Sequence, residues 1–76
     1  MNTDYNDYFN GLLSDLMAEW GPTLNNPHTS AVFIEECASE LLFHNISAVK
    51  CGAHKAAHNI RQAWVVLRCA AVQRET

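Results

Sequence analysis

Apolar residues return every three or four positions along three stretches of this chain, and the stretches are separated by glycine or proline. That spacing fits the 3.6-residue turn of an α-helix and not the two-residue alternation of a strand. Between Asp4 and Trp20, at about 100° per residue, Tyr5, Tyr8, Phe9, Leu12, Leu13, Leu16, Met17 and Trp20 share one side, with Asp7, Asn10, Ser14 and Ala18 opposite. Thr3 is placed to cap this helix, Asp4 and Asp7 suit the positive end of its dipole, and Gly21-Pro22 is expected to end it.

Asn26-Pro27 is expected to open a second helix, with proline in the first turn, that runs to about Val49. Ile34, Cys37, Ala38, Leu41, Leu42, Ala48 and Val49 share its apolar arc, while Phe33 and Phe43 fall outside it and point to a second buried surface. After Gly52, a third helix carries Ala56, Ile60, Ala63, Trp64, Leu67, Ala70 and Ala71 on its main stripe and Val65, Cys69 and Val72 on another, between Arg61 and Arg68. A helix apolar on two sides requires cover on two sides. The expected fold is all-α: a single domain over 1–76, a small three-helix bundle with helices over about 4–20, 27–49 and 53–73. Helices 2 and 3 form an antiparallel hairpin and the bundle is expected to dimerise. The competing arrangement is one long helix bent at Gly52, with two chains interleaved.

At 76 residues, a chain buries little core and commonly needs a disulfide, a metal or a partner to add to about 3–5 kcal/mol of net stability. Its composition, 49% apolar and 17% charged, argues against disorder and for a surface covered by a partner. The net charge of −3 conceals a gradient. All the acids except Glu75 lie at or before Glu40, and every base, Lys50, Lys55, Arg61, Arg68 and Arg74, lies at or after position 50. The expected use of that gradient is neutralisation between the halves, within one subunit or across a dimer, with docking of an acidic partner as the alternative.

Three cysteines, Cys37, Cys51 and Cys69, have no framework-like spacing, and "MNTDYNDYFNG" has neither a basic region nor a continuous apolar one. These features place the chain in the cytoplasm with reduced thiols. No apolar run reaches the roughly 18 residues of a membrane span. The sequon Asn45-Ile46-Ser47 carries no meaning in that compartment.

The stretch "KCGAHKAAH", residues 50–58, is the densest in chemistry. Cys51, His54 and His58, with His44 one to two turns earlier, are the candidate zinc ligands, yet the paired-ligand knuckle of a zinc finger is missing. Cys51 with His54 or His58 could form a nucleophile and base, but no orienting third group or oxyanion site accompanies them. Ala48 followed by Gly52 matches the turn of a helix-turn-helix, whereas His58 and Arg61 occupy positions that the motif keeps apolar. The plain reading is a corner: Lys50 near the negative end of one helix, glycine at the turn, small residues starting the next.

No enzyme, cofactor or metal is therefore expected. In its general type the chain resembles the small acidic accessory proteins of phages and mobile elements. It is expected to be a non-enzymatic protein–protein interaction module, a regulator or inhibitor that binds another protein and forms a homodimer. Phe33, Phe43, Arg61, Val65, Arg68 and Val72 are the expected contact residues, because aromatic and arginine anchors dominate interface energy. The alternatives are a nucleic-acid-binding transcriptional regulator using Lys50, Lys55, Arg61 and Arg68, and a small zinc protein.

Overall fold

The computed structural model describes residues 4–75. Three helices follow in order, α1 Tyr5–Leu24, α2 Ala31–Lys50 and α3 His54–Glu75, and no strand occurs among the described residues. Asn45 bonds to Ala57 and Glu35 to Arg68, so numbers fall along α2 as they rise along α3: the two form an antiparallel hairpin. Asn6 and Asn10 of α1 bond to Ala56 and Asn59 of α3, which sets α1 parallel to α3 and completes an up-down-up bundle.

The core follows the helical arcs except at one edge of α2, where Leu42 and Val49, expected on its apolar arc, stand exposed because α3 covers only the centre of that arc. Ile34, Cys37, Ala38, Leu41 and Ala48 of α2 meet Ala56, Ala57, Ile60, Leu67 and Ala71 of α3, all buried. The many alanines let the two axes come close, and α2 and α3 share the most extensive contact in the molecule. In contrast, α1 buries only Phe9 and Trp20 completely, with Leu12, Leu13, Leu16, Met17 and Leu24 partly covered. Its apolar face is wider than the strip it buries, and Tyr5 and Tyr8 stand in solvent. The radius of gyration is 13.2 Å, against about 11 Å for a compact chain of this length. The bundle is elongated and its core is thin.

Two helix boundaries differ from the sequence reading. Gly21-Pro22 does not stop α1, which continues to Leu24 with Pro22 inside its last turn. A proline ring normally clashes with the Cβ of a helical residue before it, and Gly21 has none. The turn then closes through the Asn25 amide on the Gly21 carbonyl at 2.9 Å, while the Thr29 hydroxyl donates to the Thr23 carbonyl. Nor does Asn26-Pro27 open α2. The Asn26 side chain accepts from the His28 amide and forms a local turn, and Ser30 caps the helix by accepting from the Phe33 amide at 3.2 Å. The cap of α1 is Asp4, whose carboxylate accepts from the Asn6 amide; Thr3 lies outside the described residues.

The α2–α3 corner matches its sequence reading. Gly52 has φ +76°, its amide donates to the Val49 carbonyl, and the Ala53 amide reaches back to Ala48 at 2.8 Å. This 6→1 and 5→2 pair of bonds is a Schellman ending, which needs a left-handed residue between its two donors' partners and the next helix. A Cβ on Gly52 meets no atom within 4 Å, so Gly52→Ala tests backbone strain alone. The expected cost is about 1 kcal/mol, read as a lower midpoint in urea unfolding with unchanged slope.

Candidate interaction face

One side of the hairpin is taken by α1. Asn59, which meets Asn10, and Arg61 stand about 160° apart around α3, so the arginine points to the side α1 does not reach. On that side α2 contributes Glu35, Leu42, Asn45, Ile46 and Val49, and α3 contributes Arg61, Trp64, Val65, Arg68 and Val72. Leu42, Ile46, Val49, Val65 and Val72 each leave between 42% and 51% of their surface in solvent. Leu42, Ile46 and Val49 are spaced four and three apart, and so are Val65, Cys69 and Val72, the spacing with which helices form a seam against other helices.

Between the helices, Leu42, Asn45, Arg61 and Trp64 line a hollow of about 150 Å³. The Asn45 amide donates to the Ala57 carbonyl at 2.7 Å, which fixes one of the side chains lining this hollow. The sequon asparagine is thus a staple inside the hairpin. Across the lower half of the face Arg68 pairs with Glu35 at 3.2 Å, an exposed contact worth at most about 1 kcal/mol. Arg61 makes no ion pair among the described residues.

The expected contact residues are not all brought together. Arg61, Val65, Arg68 and Val72 share this face. Phe43 is 66% exposed and flanks it, one turn before Ile46, on the outer side of α2. Phe33 is elsewhere: it is half-buried and packs on the core, on the flank of α2 that faces α1. The bases do not form one stripe either. Lys55 lies about 120° around α3 from Arg61. The Arg74 guanidinium is committed to the loop before α2, where its Nη1 donates to the carbonyls of Asn26, Pro27 and Thr29 at 3.2, 3.1 and 2.8 Å.

The histidines and cysteines of the corner are dispersed. Cys51, His54 and His58 are exposed, His44 faces Glu40 at 3.7 Å, and no three His, Cys, Asp or Glu side chains converge as a metal site among the described residues. Burial pushes the Cys37 thiol above its ordinary value of 9.0, with the Glu40 and Glu36 carboxylates adding to the shift. Two consequences are testable. A thiol reagent should modify Cys51 quickly and Cys37 only as the protein unfolds. Because unfolded chains release the Cys37 proton at lower pH than folded ones, stability should decline as pH rises beyond about 9; urea midpoints measured across that range check the sign.

Two contributors were absent from the sequence reading. Asn6 accepts from the Ala56 amide at 3.0 Å and so caps the start of α3 from α1, and Asn45 staples the hairpin. Both act on residues far along the chain, and neither has a local signature. No helix of the described residues is long and apolar enough to cross a membrane. Compared with known protein families, curated proteins and solved structures, the chain matches none.

Proposed function

We propose that this chain is a non-enzymatic protein–protein interaction module, a small regulator or inhibitor of the accessory type, and that it works through the open face of the α2/α3 hairpin. The observation that supports this most is the band of half-exposed Leu42, Ile46, Val49, Val65 and Val72 on a hairpin whose other side is covered. Apolar surface left open in this way, bordered by polar groups, marks interaction sites in small proteins. Trp64 and Arg61 at the hollow are of the residue types that anchor interfaces.

A photoreactive residue placed at Val65, and separately at Asp15 on α1, tests this in cells. Covalent protein adducts are expected from position 65, and they should vanish when Leu42→Glu is added. Equal adducts from both positions, or none from either, would overturn the proposal.

A further inference from the structure

We infer that the occupant of the open hairpin face is a second copy of this chain, with α2 of each copy laid over α3 of the other about a twofold axis that runs along the helices. The inference rests on the interaction reading above and adds the identity of the partner. Charge on the face selects the arrangement. Its acid, Glu35, is on α2, and its bases, Arg61 and Arg68, are on α3. Laying α3 on α3 would set arginine against arginine, and like charges at an interface are costly. Laying α2 on α3 instead brings each Glu35 over the Arg68 of the other copy, so that the pair already formed within one chain becomes a ring of four alternating charges. In the same arrangement Leu42 comes to the level of the partner's Arg61, with the partner's Val65 one turn further along α3.

The area is adequate. Helices of 20 and 22 residues are about 30 Å long at 1.5 Å per residue, and two of them side by side present a face about 20 Å wide. That gives about 600 Å² per copy, or about 1,200 Å² in total, the lower end of specific interfaces. The four-and-three spacing of the apolar residues on both helices is that of helical seams, so two hairpins would close into a four-helix layer.

Native mass spectrometry of a charge exchange tests the inference. The unaltered chain is expected as a dimer, and Val65→Glu as a folded monomer by circular dichroism. Glu35→Arg alone leaves only bases at the crossing and Arg68→Glu alone leaves only acids, so each is expected to lose self-association by tenfold or more, while an equal mixture of the two forms the mixed dimer. A wild-type chain that stays monomeric up to about 1 mM would overturn the inference, as would a dimer indifferent to all three substitutions. If the chain is monomeric yet position 65 still crosslinks to a different protein, the second copy is wrong and the interaction module stands. If neither occurs, both fall.

Discussion

Leu41→Ala is expected to bring the protein close to its unfolding midpoint at room temperature. Leu41 is completely buried at the centre of the hairpin, between the α2 and α3 arcs. Removing a buried leucine side chain costs about 2–5 kcal/mol, because the lost transfer energy is joined by a cavity that neighbours only partly fill. A single core of this size supplies about 3–5 kcal/mol in all. The neighbouring Leu42 is the control: it is of the same type, one position along, on the open face. Leu42→Ala should cost less than about 1 kcal/mol in a dilute sample. Thermal melts of the two variants, followed by circular dichroism, check the contrast. Similar melting of both would mean that the register of α2 is wrong. By the same reasoning the half-buried Trp64 and Leu16, conspicuous in the sequence, matter less to stability than Leu41, Ile34 or Ile60.

Arg74→Met should cost about 2 kcal/mol, within the range for hydrogen bonds made by a charged group. The guanidinium near the end of α3 holds three carbonyls of the α1–α2 connection, at Asn26, Pro27 and Thr29. With the arginine gone, those carbonyls must find water and the connection loses its attachment to α3. Methionine retains most of the apolar stem, so the loss reports the polar contacts. Urea unfolding gives the free energy, and faster amide exchange at residues 28–30 would locate it. An unchanged midpoint would show that these bonds contribute nothing beyond what water supplies.

The helices and most of their buried arcs, Leu42 and Val49 apart, were legible because they depend on neighbours three and four positions away. Ile34, Cys37, Ala38, Leu41 and Ala48 are buried as a group, as are Ala56, Ile60, Leu67 and Ala71. Gly52 marked the corner correctly because a left-handed residue there has a purely local cause. Reading failed where distant contacts outweigh local preference. Pro22 is tolerated because Gly21 precedes it and Thr29 supports the turn from the next segment. The caps and clamps from Asn6, Asn45 and Arg74 join residues that the fold alone brings together. Phe33 shows the same limit on the candidate face. Its position on the flank of α2 was evident, but only the placement of α1 decides that this flank is covered while the flank of Leu42 and Ile46 is open.

Hydroxyl-radical footprinting of the unaltered protein across a dilution series measures most directly whether the hairpin face is the one that becomes covered. As concentration rises from about 1 µM to about 1 mM, oxidation of Leu42, Trp64 and Val65 should fall together, while Tyr8, exposed on α1, keeps its rate. Loss of reactivity at Tyr8 with the hairpin residues unchanged would place the contact on the wrong side of the molecule and contradict the account.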